Sequence, residues 1–207
     1  MEYPGDVDGT EPEERRLLNT SHHPILETLM PSSSTTASND DTATIDFLRA
    51  PFKETQALDG GWLQLVKAHH LMIEQAFDAL IDDSGRNFSR CAVLHKRLSY
   101  LLTAHAVAEE NVLYPALAMC NLQSDSDRLY LDQAHAKVMN ALLDISDEKC
   151  GPDWLEKASQ LRTAVLRHAK EDEEGNLYPQ LAQALDATTA TKLDMAYRRE
   201  FLTVKPM

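Results

Sequence analysis

The spacing of apolar residues predicts helix over almost all of the chain after residue 60. In the segment 62–82 the buried-face positions recur three and four residues apart, which places them on one side of a helix. These positions are Leu65, Val66, His69, Ile73, Ala76, Phe77 and Leu80. Three further long helical segments follow at 89–119, 125–146 and 153–184, and no stretch shows the alternation of a strand. Links of about six residues favour antiparallel neighbours, so we predict an all-α fold, an up-down four-helix bundle.

The two ends of the chain differ from this helical core. Residues 1–44 mix acids and prolines with the run "PSSSTTASNDDTAT", which cannot bury enough apolar surface to offset the entropy lost on ordering. We therefore predict a disordered, acidic, Ser/Thr-rich tail at 1–44 and a folded domain at 45–207 with its core at 60–185. A short helix at 46–58 would introduce the bundle, and a last helix at 188–201 would pack outside it.

Charge limits the classes of partner that the chain can bind, and cysteine content indicates its cellular compartment. The formal net charge is −13, whereas nucleic acids and anionic membranes require clustered Lys and Arg, so small or cationic partners fit better. The chain shows neither a secretory signal nor a membrane-spanning run of about 18 apolar residues. Its three cysteines lack CxxC spacing, which fits a reducing compartment without disulfides. These features predict a cytoplasmic protein.

One phrase occurs twice in the bundle. "HAVAEENVLYPAL" occupies 105–117 and "HAKEDEEGNLYPQL" occupies 168–181, each placing a histidine before an acidic pair and a Tyr-Pro. Two more histidines, His70 and His135, each open an apolar stripe in the remaining helices. The chain thus resembles two related helix pairs, and a site with two-fold pseudosymmetry follows.

The histidines and glutamates of this repeat lie at one depth in an antiparallel bundle. At a rise of about 1.5 Å per residue, their distances from the helix ends and from the two prolines agree within a few ångströms. We therefore expect six side chains to converge in the bundle interior. The six are His70, His105, Glu109, His135, His168 and Glu173.

The acidic partner of His168 is ambiguous from the sequence. His105 and Glu109 are four residues apart and share a helix face, but four residues after His168 comes Asp172 and five residues after it comes Glu173. A single π-turn would return Glu173 to the face of His168, and such bulges are frequent at functional sites. Counting back from the Tyr-Pro also matches Glu173 with Glu109, so Glu173 ranks ahead of Asp172.

Buried carboxylates beside neutral imidazoles need a compensating charge, because an isolated ionised carboxylate is costly in an apolar interior. A metal supplies that charge. Imidazole with carboxylate suits iron, manganese or zinc, and a closed zinc site usually needs only four ligands. Six ligands favour two metals, with iron first.

These residues and the two "LYP" endings resemble the hemerythrin family and its HHE cation-binding relatives over roughly 60–185. The resemblance implies a non-haem di-iron centre that is bridged by two carboxylates and an oxo or hydroxo group. It implies terminal ligands at the four histidines and bridges at Glu109 and Glu173. Where the oxygen carriers offer HxxxH in the third helix, this chain has His135 and then Met139. That departure favours iron handling, redox or nitric-oxide chemistry, or sensing over reversible oxygen carriage.

The functional alternatives stay open at this level. The chain could bind O₂, NO or peroxide, act as a di-iron oxidase or peroxidase-like enzyme, or serve as a metal-dependent regulatory module with a protein partner at its tail. Around the site, His69 is a flanking candidate and His95 a structural one. Tyr114 and Tyr178 are expected to pack against the bundle, where either hydroxyl could reach an oxygen bound to the metal.

Overall fold

The computed structural model describes residues 37–83 and 88–204. Among these residues every regular element is helical, which confirms the all-α prediction. The helices are α1 (Ala37–Ala57), α2 (Trp62–Asp83), α3 (Phe88–Ala108), α4 (Tyr114–Met119), α5 (Gln123–Asp144), α6 (Pro152–Arg167), α7 (Tyr178–Ala184) and α8 (Ala187–Phe201). None of these described helices has the length and apolar run needed to cross a bilayer.

Two π-helical segments join these helices into the four rods of the bundle. Segment π1 (Glu109–Leu113) makes α3 and α4 one continuous rod, and segment π2 (His168–Leu177) does the same for α6 and α7. With α2 and α5 they form the predicted bundle. The apolar core lies along its axis, and its largest fully buried side chains are Tyr114, Tyr178, Tyr197, Phe47, Phe77 and Phe201.

Turn chemistry sets the rod ends close to the predicted places. Gly60 has φ of 113° and separates α1 from α2. Gly151 caps α6 in an extended conformation and Pro152 occupies its first turn, as the Gly-Pro pair predicts. Asp186 caps α8 by accepting a hydrogen bond from the Thr189 N–H.

The N-terminal boundary differs from the prediction. Helix α1 begins at Ala37 rather than at residue 46, so eight residues of the predicted tail are helical. Its buried side chains Phe47, Leu48 and Phe52 join the core, and the helix extends backward from that anchored part through residues without a helix breaker. Residues 1–36 lie outside the described part, and their disorder stays a prediction.

The cysteine prediction was wrong. Cys91, at the start of α3, and Cys150, just before α6, form a disulfide, while Cys120 is a free thiol. Sequence spacing could not show this pair because 59 positions separate the two residues. The bundle brings the two rod ends together.

The rotation of α5 also departs from the prediction. The stripe opened by His135 was expected to face inward, but Val138, Leu142 and Ile145 are 58%, 57% and 74% exposed and His135 is exposed with them. The buried face instead carries Ser126, Leu129, Gln133 and Leu143.

Polar contacts fix this rotation of α5. The Ser126 hydroxyl donates to the Tyr114 carbonyl at 2.9 Å, and the Tyr130 hydroxyl donates to the Glu110 carbonyl at 2.7 Å. The Arg128 guanidinium pairs with Asp172 at 2.7 Å. An apolar count misses such contacts, because it scores a polar residue at a buried position as a solvent-facing one.

Candidate metal centre

Four side chains from three rods meet in the bundle interior. One ligand atom from each of His70, His105, Glu109 and Glu173 lies within 4.8 Å of all the others, and all four side chains are buried. His70 Nε2 is 3.2 Å from Glu173 Oε2, and His105 Nε2 is 3.2 Å from Glu109 Oε2. His168 joins them, with its Nε2 3.2 Å from Glu173 Oε1. Five of the six predicted residues therefore converge.

The π-helix in the fourth rod brings Glu173, and not Asp172, into the cluster with His70, His105 and Glu109. Segment π2 starts at His168 and turns Glu173 inward, where it is 0% exposed. Asp172 lies outside this cluster and pairs with Arg128 and Arg167 at 2.7 and 3.3 Å. The structure thus places the Glu173 carboxylate beside His168, as the π-turn argument expected.

The Tyr-Pro of each repeat ends its π segment. In a π-helix the N–H of residue i+5 bonds to the carbonyl of residue i, and the Tyr114 and Tyr178 N–H groups bond to the Glu109 and Glu173 carbonyls in this way. The next bond of each ladder would need an N–H from Pro115 or Pro179, and proline has none. The repeated phrase therefore encodes a short π-helix that aims a glutamate inward and then stops.

Both tyrosines of the repeat bind the two carboxylates. The Tyr178 hydroxyl lies 2.6 Å from Glu109 Oε1 and 2.9 Å from Glu173 Oε1. The Tyr114 hydroxyl lies 2.9 Å from Glu173 Oε1 and 3.1 Å from His168 Nε2. They therefore do more than pack against the bundle.

The third rod contributes an amide rather than an imidazole. The Gln133 Nε2 group donates to Glu109 Oε2 at 2.6 Å and to the Tyr114 hydroxyl at 3.1 Å. His135 lies two residues further along α5, about 200° around the helix axis, and the structure does not bring it to the cluster.

A chain of hydrogen bonds fixes the orientation of His69. The Thr55 hydroxyl donates to the Pro51 carbonyl at 2.7 Å, so its oxygen accepts from His69 Nε2 at 3.0 Å. The Nδ1 atom of a neutral His69 is then an acceptor. Burial, with smaller contributions from His70 and Arg198, lowers the pKa of His69 to about 3 and keeps the ring neutral.

The same chain sets the tautomer of His105. The Tyr197 hydroxyl donates to His69 Nδ1 at 3.0 Å, and its oxygen accepts from His105 Nδ1 at 3.0 Å. The proton of a neutral His105 therefore sits on Nδ1, and its Nε2 lone pair faces Glu109. Burial and the neighbouring His70 lower the pKa of His105 well below its usual range, which favours that neutral form.

Carboxylates lie behind the other two imidazoles, but only the one behind His70 forms a hydrogen bond. His70 Nδ1 lies 2.7 Å from Glu174 Oε1, and His168 Nδ1 lies 3.5 Å from Asp132 Oδ2. In all three rings the Nδ1 atom faces a support and the Nε2 atom faces the centre. Such supports orient imidazole ligands at metal sites.

The two central glutamates titrate differently. Burial and the adjacent Glu173 raise the pKa of Glu109 to about 7. Burial also acts to raise the pKa of Glu173, but His168 and His70 outweigh it and hold that pKa well below its usual range. Two carboxylates this close disfavour a second negative charge unless a cation lies between them.

The donor set fits a metal cation. His70 Nε2 and Glu173 Oε2 are buried and have no hydrogen-bond partner among the described residues, and a buried polar atom without a partner is costly. Three imidazole nitrogens and two carboxylates suit iron, manganese or zinc. A second group, formed by Asp132, His168 and Asp172, is already neutralised by Arg128 and Arg167.

The sequence did not reveal four supports of the centre, among them Glu174, which was expected to be a solvated charge and instead binds His70. Tyr197 lies 92 residues from the histidine it binds, and Gln133 and Asp132 stand on the face of α5 that was assigned to solvent. The adjacent pair His69-His70 was the one sequence signal for the contact with Tyr197. Adjacent histidines on a helix cannot both face the centre, so one of them needs another partner.

Comparison with known families gives a match over most of the bundle. The model described as hemerythrin HHE cation binding domain matches residues 63–188, a span that contains all five converging side chains. Searches of curated proteins and of solved structures found no match.

Proposed function

Because the chain belongs to the hemerythrin HHE cation-binding family, we propose that it is a non-haem di-iron protein of hemerythrin type. Its role is to bind or react with O₂, peroxide or NO, or to handle or sense iron. The observation that carries the proposal is the convergence of three imidazole nitrogens on two buried carboxylates, with the rings of His70 and His105 hydrogen-bonded from behind.

We propose His70, His105, Glu109, His168 and Glu173 as the residues that hold the metal. His135 is left out because its side chain is exposed. Five donors exceed the four of a closed zinc site, which favours two ions that share the carboxylates. Bound iron would supply redox chemistry and a coordination position for a small ligand.

The chain's own residues define the surroundings of that position. The donors lie in a buried site, where electrostatic interactions are stronger than in water. Tyr114 and Tyr178 donate hydrogen bonds to the two carboxylates, and burial together with the nearby Glu109 and Glu173 raises the pKa of both hydroxyls, which keeps them protonated. The neutral His69 and Tyr197 hold His105 with its Nε2 atom inward.

Metal analysis of the full chain, purified without added metal, tests the proposal. We expect about two irons per chain, with near-ultraviolet absorption that bleaches with dithionite and returns in air. A single zinc, or no bound metal after anaerobic loading with Fe(II), would overturn the di-iron assignment.

A di-iron oxidase or peroxidase-like enzyme is the second candidate. The observation in its favour is the pair of tyrosine hydroxyls within hydrogen-bond distance of the carboxylates. Steady-state consumption of peroxide without loss of iron would favour it, and stoichiometric reaction alone would exclude it.

A regulatory role rests only on the composition of the N-terminal tail. In that case metal state would alter how residues 1–44 meet a protein partner. If deletion of these residues left iron reactivity and partner capture unchanged, this role would be excluded.

The cytoplasmic placement also stays a prediction. The Cys91–Cys150 disulfide counts against it, because disulfides are rare in the cytosol. Alkylation of thiols at the moment of cell lysis, followed by mass analysis, tests it. Three alkylated cysteines would support a reducing compartment, and one would contradict it.

A further inference from the structure

A cavity of about 680 Å³ lies between α3, α5 and α6 and leads to the metal centre. Its inner end is lined by His105, Gln133 and His168, and its outer end by His95, Lys96 and Lys149. Lys96 and His105 are nine positions apart in α3, so the cavity is about 14 Å long at the helical rise. The volume is that of a small-molecule site rather than a packing defect.

Small side chains create this space. Where the facing helices would normally interlock, the wall presents alanines, and its larger apolar or aromatic members are Leu102, Val165 and Tyr100. The alanines are Ala92, Ala106, Ala136, Ala141, Ala164 and Ala169. A space for O₂ alone would not need this length. The wall accommodates an extended apolar body.

The outer end is polar and carries positive charge. Lys149 is paired with Asp144 at 3.4 Å, while Lys96 has an aromatic contact with Tyr100 at 6.0 Å and no ion pair within the described residues. Ser99 and Asn140 add a hydroxyl and an amide. Lys96 therefore supplies a positive charge at this opening that no carboxylate of the described residues offsets.

Asp144, which also lines the cavity, offsets Lys149, so Lys96 carries the positive charge of this end that stays unpaired among the described residues. Lys137 is bound to Glu110 at 2.6 Å. Asp132 lies near the inner end, 3.8 Å from Arg167 and 3.5 Å from His168. The cavity therefore offers cations at its mouth, an apolar wall along its length and metal-ligand candidates at its inner end.

We propose that the cavity binds an organic anion with an extended apolar body, of the class of medium-chain carboxylates. Its acid group lies at Lys96 and Lys149, and its apolar end lies beside His105 and His168. The inference deepens the proposed function, because it names the class of organic ligand that would meet the metal centre, and it rests on that function only at the inner end.

Calorimetric titration of the full chain with decanoate and with 1-decanol tests the proposal. Both have the same apolar body, and only decanoate carries an acid group. We expect decanoate to bind more tightly by about two- to fivefold, the effect of one partly exposed ion pair. Equal binding of the alcohol and the acid would overturn the role of the lysines.

Matched variants locate the ligand. Ala136→Phe fills the cavity and should weaken both ligands by at least about tenfold, whereas Ala134→Phe on the exposed face of the same helix should leave both unchanged. Lys96→Met should weaken decanoate alone, and Lys157→Met on the exposed face of α6 should have no effect. If Ala136→Phe fails to fold, Ala164→Leu fills the opposite wall.

Two outcomes would overturn the site. Unchanged decanoate binding in both cavity-filling variants would place the ligand elsewhere, and loss of binding on Leu142→Asn would place it on the exposed face of α5. Iron content, measured on the same samples, separates this inference from the proposed function. A chain that binds decanoate but no iron would keep the cavity assignment and lose the di-iron one.

Discussion

The second and fourth rods of the bundle differ from the third in how they meet the centre. The two Tyr-Pro rods each insert a π segment, turn a glutamate inward and support it with a tyrosine. Rod α5 is an uninterrupted α-helix that contributes the Gln133 amide and, behind His168, the Asp132 carboxylate, and its opposite face leaves large apolar side chains exposed. A regular helix keeps one buried face along its length. A π segment changes which side chains face the interior, and here it does so at Glu109 and Glu173.

His105 and His135 give the most direct test of this difference between the rods, because His105 lies in the centre and His135 is exposed. His105→Ala should reduce iron to about one per chain or none, because it removes a buried donor. His135→Ala should leave iron content unchanged, because that side chain is exposed. Iron analysis of both variants beside the parent chain measures this. Loss of iron from His135→Ala would mean that α5 turns its other face inward when metal binds.

The rotation of α5 can be tested through stability. Leu143 is 1% exposed and Leu142 is 57% exposed. Leu143→Ala should lower the free energy of unfolding by about 2–4 kcal/mol, and Leu142→Ala by less than about 0.5 kcal/mol. Urea unfolding curves give both values. The reverse order would contradict the present rotation.

The support behind His105 should matter for metal affinity. Tyr197→Phe removes both hydrogen bonds that link His69 and His105, and loss of such a support typically weakens metal binding by about 10- to 100-fold. Competition against a chelator of known affinity measures the change. Tyr130→Phe serves as the control, because its hydroxyl holds a backbone carbonyl and touches no imidazole. Equal affinities would contradict the orienting role.

The π segment of the fourth rod has little room at Gly175. A Cβ atom there would lie 3.0 Å from the Lys170 carbonyl oxygen, which is backbone and cannot swing away. Gly175→Ala should therefore destabilise the fold by about 1 kcal/mol, although the same change stabilises an ordinary helix. Gly151→Ala, where the nearest atom is at 3.6 Å, should have a smaller effect. A gain in stability at Gly175 would show that the segment relaxes to α-helix.

A smaller effect is expected at His95, on the cavity wall facing α5. Burial lowers the pKa of His95, with Asp144 acting to raise it and Lys149 to lower it. The folded protein therefore keeps this ring neutral while the unfolded chain takes up a proton below about pH 6.5. The free energy of unfolding should therefore decrease as the pH is lowered through that range, and His95→Gln should make this decrease smaller. Urea midpoints at pH 7.5 and 5.5, with His135→Gln as control, test this.

The rods and most of the centre could be predicted from the sequence because both depend on local spacing. The i, i+4 pair His105 and Glu109, the extra residue before Glu173 and the two prolines are all local signals. The rotation of α5 was not predictable in this way. Its two candidate faces differ by one residue step, and Ser126 and Gln133, which decide between them, bind partners in another rod.

The contacts between residues that are furthest apart in the sequence were likewise not predictable. Helix α8 was expected to pack outside the bundle, and its Tyr197 nevertheless reaches His69 and His105. A tyrosine in a terminal amphipathic helix carries no mark of such a partner. It becomes visible only when the folded rods fix the position of both histidines.

The Cys91–Cys150 disulfide has a further consequence for the third rod. The bond closes a covalent ring across 59 positions, and this ring contains most of the second rod and all of α5. By the chain-entropy model, closing a ring of this size lowers the conformational entropy of the unfolded chain and so stabilises the fold by about 4 kcal/mol. Helix α5 buries only four of its 22 residues, and the disulfide keeps its chain tethered to the bundle even where the helix separates from it. A protease cut within its exposed face would leave both fragments in one molecule.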